Sequence, residues 1–299
     1  MKQWVVLSGK GGTGKTTVVA ALAHLAAQER RLVLADADVD AANLELLLLP
    51  RTVETHDFFG AKVAAIDPDL CVACGACQEV CRFGALLAHN GTYRVDRTAC
   101  EGCAACYYEC PARAITMVQQ PTGCWSHSET SLGPLFHARL FAGRENSGQL
   151  VTQVKQSARL LAARSGADLL LVDGPPGIGC PAIAAMAGAD LALLVIEPSV
   201  SGLHDLERIL ATARHFQVPA AACLNKADVS TAQRAEVEAF CLAEGVPLVG
   251  AIPFDTVVTE ALVHRQPVTA YRAGPVTSAL QALWLELRTS LHNKGAQNS

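Results

Sequence analysis

A chain of 299 residues is long enough for about two domains at roughly 100–200 residues each. Apolar residues make up 51% and charged ones 17%, which calls for a sizeable buried core and excludes wholesale disorder. The net charge of −4 offers no general attraction for nucleic acid or an anionic membrane. The best candidate for a bilayer span, Gly174 to Ala189, has 16 residues and three prolines, where about 20 apolar residues are needed. Met1 to Leu7 holds one lysine and a short apolar run, too little for a signal-peptide core. No stable membrane anchor is expected, and the location expected is cytoplasmic. Twelve cysteines in such a setting point to metal rather than disulfides.

The first predicted strand is Trp4 to Leu7, followed by Ser8-Gly9-Lys10-Gly11-Gly12-Thr13-Gly14-Lys15-Thr16-Thr17. Gly9 to Thr16 fits G-x4-G-K-[ST]. Its glycines let backbone N–H groups turn inward around phosphate oxygens, and the helix that follows, Val18 to Ala27, presents its positive end to them. Lys15 is expected to reach the β- and γ-phosphates, and the Thr16 hydroxyl to sit on Mg2+. A second buried strand, Leu32 to Leu34, ends in Asp36-Ala37-Asp38-Val39-Asp40-Ala41-Ala42-Asn43-Leu44. Acidic residues at a strand's C-terminal end beside a phosphate loop suit a metal and water, although a solvated turn or helix cap would read the same way.

The cysteines come next and form an internal repeat. Cys71, Cys74, Cys77 and Cys81 read C-x2-C-x2-C-x3-C, and Cys100, Cys103, Cys106 and Cys110 repeat the spacing 29 residues on. Ile66-Asp67 matches Val95-Asp96, and Ala85-Leu86 matches Ala114-Ile115, so the unit is longer than its thiols. Three thiolates at i, i+3 and i+6 on a tight loop reach three irons of one cubane. The fourth, on the following turn, points to the other cubane. Two structural zinc sites are the competing reading, but zinc pairs usually stand further apart. The segment resembles the bacterial-type ferredoxin domain with two [4Fe–4S] clusters. That resemblance assigns Cys71, Cys74, Cys77 and Cys110 to one cluster and Cys100, Cys103, Cys106 and Cys81 to the second. Cys110-Pro111 ends the second copy as the pattern prescribes, whereas the first ends Cys81-Arg82.

Beyond the repeat, residues 119–148 lack a clear period and are expected to be irregular or a hairpin. Leu169 to Val172 is a further strand leading into Asp173-Gly174-Pro175-Pro176-Gly177. Strands follow at Leu191 to Ile196 and Ala220 to Leu224, the latter running into Asn225-Lys226-Ala227-Asp228. Strands separated by helix-length segments indicate a doubly wound α/β domain with a mostly parallel sheet and ligands at the strands' C-terminal ends. The expected division is 1–61 with 119–299 as this domain, interrupted by an α+β ferredoxin-like insert at 62–118. Ala279 to Leu291, rich in leucine with one arginine, reads as a packing helix. His89, His127, His137 and His204 show no ligand spacing and are expected to be scattered polar residues.

The early lysine gives the phosphate loop more meaning. Lys10 to Thr17 resembles the deviant Walker A motif of the MinD/ParA/Mrp group of P-loop ATPases, which includes the nitrogenase iron protein. The resemblance implies an ATP- and Mg2+-dependent ATPase in which Lys10 crosses a nucleotide-sandwiched dimer to the ATP of the other subunit. It implies that Asp36 faces Mg2+ and Asp38 positions the attacking water, catalytic alongside Lys10 and Lys15. Asp173 resembles the Walker B aspartate, holding Mg2+ through water. Nucleotide contacts are implied for Gly11, Gly12, Thr13, Gly14, Lys15, Thr16, Thr17 and Asp173. Asn225 and Asp228 match the base-recognition segment, although N-K-x-D can also read guanine, and Pro253 lies in a stretch like the loop flanking adenine.

Cys180 follows Asp173 by seven positions, as a cluster-ligating cysteine does in the nitrogenase iron protein. The second ligand of that protein precedes Ala-Gly-Arg, and here Phe141 stands before Ala142-Gly143-Arg144, so a cluster bridging a homodimer is not supported. Cys124, Cys223 and Cys241 are expected to be buried structural cysteines. Three functions compete. The first couples nucleotide-dependent dimerisation, with itself or a related ATPase, to electron transfer towards a protein redox partner. The second is an Mrp-like assembly or carrier factor for an iron–sulfur or other metallocofactor protein, weakened by the lack of a Cys-Pro-x-Cys pair. The third is a MinD-like positioning switch.

Overall fold

The apolar runs read as strands become the centre of one parallel sheet. The computed structural model describes residues 1–141 and 147–292, and the chain divides into two units. The first is Met1–Thr55, Trp125–Arg139 and Ser147–Ser299; the second is His56–Cys124 with Leu140–Asn146.

The sheet of the first unit contains β1 (Lys2–Ser8), β2 (Leu32–Asp36), β3 (Arg51–Phe58), β8 (Gly123–Thr130), β9 (Gly133–Leu140), β10 (Leu169–Pro176), β11 (Leu191–Ile196), β12 (Ala220–Asn225) and β13 (Leu248–Ile252). Among the described residues its order is β13-β12-β11-β1-β10-β2-β9-β8-β3. Every pairing from β13 to β9 is parallel. This is the doubly wound arrangement, with the order reversing beside β1, where ligands of open α/β sheets bind.

Alternation along the strands divides the core between two faces. Trp4, Val6, Leu32, Leu34, Leu169 and Leu171 pack with α1 (Lys15–Ala27) and α11 (Pro275–His292). Val5, Leu7, Val33, Leu170 and Val172 alternate with them and are as deeply buried. On that side lie α5 (Ser147–Ser165), α6 (Cys180–Met186) and α7 (Val200–His215). In α11, Val276, Leu280, Leu283, Trp284 and Leu287 are buried at helical spacing, and the Trp284 ring meets Trp4 edge-on at 5.9 Å. Such an edge contact is worth about 0.5–1.5 kcal/mol beyond the area it buries. The C-terminal helix is therefore a core element. Among the described residues no helix is long and apolar enough to cross a membrane.

Of the two alternatives for residues 119–148, irregular or a hairpin, the hairpin is found: the segment holds the end of a strand, then β8 and β9 paired across a short turn, then the start of α5. One element does differ from the sequence expectation. β3 had no counterpart in the sequence reading, because Arg51 to Asp57 is wholly exposed and no buried face marks it.

The second unit carries the repeat as a local two-fold. β4 (Ala61–Ile66) pairs antiparallel with β7 (Ile115–Gln120), and β5 (Leu86–His89) pairs with β6 (Thr92–Val95). One-turn helices α3 (Ala76–Val80) and α4 (Ala105–Tyr108) follow the two cysteine loops. Asp67 N–H donates to the Ala114 carbonyl at 2.8 Å, and Asp96 N–H to that of Ala85 at 2.7 Å, each contact mirroring the other. The left-handed positions coincide too: Ala73 with Gly102, Gly75 with Ala104, Gly84 with Arg113. Backbone conformation is thus repeated even where the residue is not.

Candidate functional site

Gly14 turns into the left-handed region (φ +89°) and opens α1 with no side-chain cap. The first-turn N–H groups of a 13-residue helix are left for an anion, and the helix dipole favours one there. A Cβ at Gly14 would lie 2.3 Å from Asn225 Nδ2, so only glycine lets the loop close on β12. Asn225 Nδ2 donates to the Thr13 carbonyl at 2.8 Å, fixing the loop from behind. The loop opens into a cavity of about 820 Å3, lined among others by Gly12, Lys15, Thr16, Asp38, Asn225 and Pro253. That is ample for a nucleoside triphosphate.

The acidic residues divide in two. Asp36 and Asp173 stand opposite each other in the register of β2 and β10, both fully buried. Asp36 accepts from the N–H groups of Asp38 (3.1 Å) and Leu44 (3.0 Å), so it ties down the segment that follows rather than lining the cavity. Burial, then the neighbouring Asp173 charge, hold its carboxyl well above the usual range. Neither oxygen of Asp173 has a hydrogen-bond partner, and burial pushes its pKa up to about 7 although Thr16 and Lys15 pull it down. Orphaned carboxylate oxygens beside the Thr16 hydroxyl fit a divalent cation. Asp38 lines the cavity, its carboxyl raised by burial and partly offset by Lys15.

Lys10 does not reach this cavity. Its ammonium lies 3.4 Å from Glu197 and donates to Ser201 Oγ at 3.1 Å. Glu197 also pairs with Lys226, whose ammonium in turn reaches the Gly12 carbonyl at 3.4 Å. Burial alone would raise the Glu197 carboxyl, but Lys226 and Lys10 outweigh it and hold it low. Asp228 accepts from the Phe254 N–H at 2.7 Å and so fastens the loop after β13 instead of lining the cavity. The sequence reading missed Asp40, Phe254, and the apolar wall of Leu46, Val258 and Leu262. Val258 and Leu262, four apart in α9 (Val257–Val263), were the available signal.

The cysteines of the second unit line two further cavities. One has Cys71, Cys74, Cys77 and Cys110 in its wall; the other has Cys81, Cys100, Cys103 and Cys106. Each wall takes three thiols from one repeat and the fourth from the other. Cys77 and Cys106 are buried, and burial first, then the neighbouring thiols, raise their pKa values. Ala85 N–H points at Cys81 Sγ (3.4 Å) and Ala114 N–H at Cys110 Sγ (3.3 Å), again as a matched pair. Among the described residues, no three His, Cys, Asp or Glu side chains are placed to hold a single metal ion.

Of the remaining cysteines, Cys223 and Cys241 are buried, Cys223 being pushed up to about 12, while Cys124 is only half-buried, in β8. Cys180 is exposed at the start of α6, and Ala142-Gly143-Arg144 lie outside the described residues. Two histidines are more than scattered polar residues. His137 sits 2.8 Å from Glu45 and 2.9 Å from Ser128 Oγ, and the half-buried His127 ring stacks on Phe136 at 4.7 Å.

Comparison with known proteins agrees with this geometry. Residues 4–268 match the CobQ/CobB/MinD/ParA nucleotide-binding domain. An uncharacterized protein of Methanocaldococcus jannaschii (MJ0578) is 33% identical over 213 residues, covering 71% of this chain and 74% of its own. Pyruvate synthase subunit PorD of the same organism is 39% identical over 56 residues (18% of this chain, 65% of its own). A ferredoxin of Pyrobaculum islandicum is 38% identical over 58 residues (19% and 54%). The Pyrococcus horikoshii septum site-determining protein MinD, solved with Mg-ADP, superposes with a TM-score of 0.60 at 20% identity over 98% of both chains. The chain belongs to the CobQ/CobB/MinD/ParA nucleotide-binding family and is a P-loop ATPase of the MinD/ParA type.

Proposed function

We propose that this ATPase carries two [4Fe–4S] clusters in a ferredoxin-like insert at 62–118 and couples nucleotide-dependent dimerisation to electron transfer. The observation that carries the reading is the pair of four-cysteine cavities, each built three-plus-one from the two repeats. Four thiols spread around a cavity wall, with backbone N–H groups aimed at two of the sulfurs, suit a cubane. The two short ferredoxin-length matches point the same way. When bound, such clusters supply one-electron transfer at low potential.

In this reading the residues divide the work as follows. The α1 N-terminus and Lys15 hold the β- and γ-phosphates. Thr16 and Asp173 hold Mg2+, the latter with buried oxygens beside the Thr16 hydroxyl and the Lys15 charge. Asp38 orients water in the cavity, and Asp36 sets the loop on which Asp38 rides. Asn225 and the loop around Pro253 flank the base. Lys10 leaves Glu197 to reach the ATP of the second subunit.

The test is anaerobic purification followed by iron, sulfide and nucleotide-affinity measurements. About eight iron atoms and as many acid-labile sulfides per chain are expected. Reduced and oxidised protein should differ in ATP affinity by roughly 5–150-fold, the range of a typical coupling free energy. Stoichiometric zinc without labile sulfide would overturn the cluster assignment, and equal affinities would overturn the coupling.

A further inference from the structure

One charged side chain in the core plays no part in the chemistry above. Lys155, in the middle of α5, is only 7% exposed, and its ammonium donates to the carbonyls of Ala184, Ala185 (3.2 Å) and Ala187 (2.6 Å). These acceptors belong to the last turn and C-cap of α6, where carbonyls lack intrahelical partners and the helix dipole is negative. A lysine ammonium has three N–H donors, and here three carbonyls take them. The other end of α6 also meets α5. A Cβ on Gly148 would stand 3.4 Å from Cys180 Cβ and 3.5 Å from the Cys180 carbonyl, so the first turn of α5 rests directly on the first residue of α6.

A seven-residue helix has little stability of its own, so its position follows from whatever grips its ends. Both ends are held by α5, while the buried face of α6 rests on β10 and β1. Along its remaining length α5 is anchored by Leu150, Val151, Val154 and Ala158, all fully buried, and it packs on β2 and β10, which end in Asp36 and Asp173–Pro176. The segment from Asp173 to Gly179 leads straight into α6.

We propose that Lys155 is the positioning residue that makes α5 and α6 move as one body, so that a nucleotide-driven shift of the Asp173–Gly179 segment is carried into α5. This rests on the ATP-driven reading above only for what is transmitted. The mechanical claim concerns this chain's helices alone: a nucleotide-driven shift of α6 must either carry α5 with it or break three charge-assisted hydrogen bonds.

The experiment is hydrogen exchange on the full chain, with and without a non-hydrolysable ATP analogue and Mg2+, for wild type and Lys155→Met. Methionine keeps the length and apolar stem but has no donors. In wild type the amides of α5 and α6 should change protection together. In the variant α6 should respond and α5 should not, with iron content and basal ATPase activity unchanged, because Lys155 touches neither site. Should Lys155→Met not fold, Gly148→Leu, which levers Cys180 away at the opposite end, should separate the two responses as well. An α5 that ignores nucleotide in wild type, or still follows α6 in the variants, overturns the proposal. Joint movement in wild type with ATP affinity indifferent to redox state upholds the link and refutes the redox reading instead.

Discussion

The repeat supplies a controlled experiment on backbone space. Gly75 and Gly102 both sit in the left-handed region (φ +85° and +66°) beside cysteines of the two cavities, yet their surroundings differ. A Cβ on Gly75 would meet only the Tyr93 hydroxyl, at 3.4 Å. Alanine there costs about 1–2 kcal/mol for its conformation, a strain that Ala73 and Ala104 already carry at φ +54° and +62°. A Cβ on Gly102 would lie 2.1 Å from the Lys62 carbonyl oxygen and 3.2 Å from its carbon. Carbon and oxygen approach to about 3.3 Å at best, so the loop must retreat by roughly 1 Å. Lys62 cannot yield, because β4 is locked in register with β7 at Gln119. The displaced loop carries Cys100 and Cys103, half the thiols of the second cavity. Gly75→Ala should therefore keep close to eight irons per chain, and Gly102→Ala should fall towards four, as measured by iron and sulfide content after anaerobic purification. Full iron in Gly102→Ala, or equal losses in both variants, would refute the reasoning.

Three further outcomes follow from the same geometry. Cys110→Ser should deplete the cluster held by Cys71, Cys74 and Cys77, and Cys81→Ser the one held by Cys100, Cys103 and Cys106, each distant in sequence from its victim; electron paramagnetic resonance of the reduced variants distinguishes the two. Lys10→Ala should still bind ATP as a monomer but neither dimerise nor hydrolyse it, and ATP-dependent dimers on gel filtration would sink the role across the interface. Burial holds the His137 ring below its usual value of 6.5, with Glu45 offsetting only part of that. The folded state then binds fewer protons than the unfolded one, so stability should fall as pH drops below about 6.5, and His137→Asn should flatten that slope in thermal unfolding.

The parts of the fold legible in the sequence are those whose cause is local. The phosphate loop needs glycine at Gly14 for its left-handed turn (φ +89°), and strands buried on both faces must be apolar throughout. Cysteine spacing likewise forces three thiols onto one loop, while the fourth could be placed only through the bacterial pattern. What was hidden depends on partners distant in the chain. Asp36 reads like a ligand until its oxygens are found on the Asp38 and Leu44 amides, and Asp228 like a base reader until the Phe254 N–H claims it. Lys155 drew no reading from the sequence. Nothing near it announces that three carbonyls about thirty residues on will surround its ammonium. β3 escaped notice because an exposed strand has no core face to impose a period.

Asp36 and Asp173 bring the segments that follow β2 and β10 to one point. Two carboxyls side by side at the ends of adjacent strands, fully buried, work against folding, since burial and mutual repulsion both disfavour their charged forms. The fold relieves only one of them. Asp36 is satisfied by backbone amides and thereby fixes the path from Asp38 to Leu44, whereas Asp173 has no hydrogen-bonded partner. A divalent cation arriving with the nucleotide would neutralise the pair, and the stability withheld in its absence would then become binding energy. Because β2 and β10 are adjacent and α5 packs on both, a change at this pair would bear on the loop after Asp36, on the segment after Asp173, and on the helix that grips α6. The loop after Asp36, the segment after Asp173 and α5 thus meet at one buried pair of carboxyls, the point where a bound cation would act on all three.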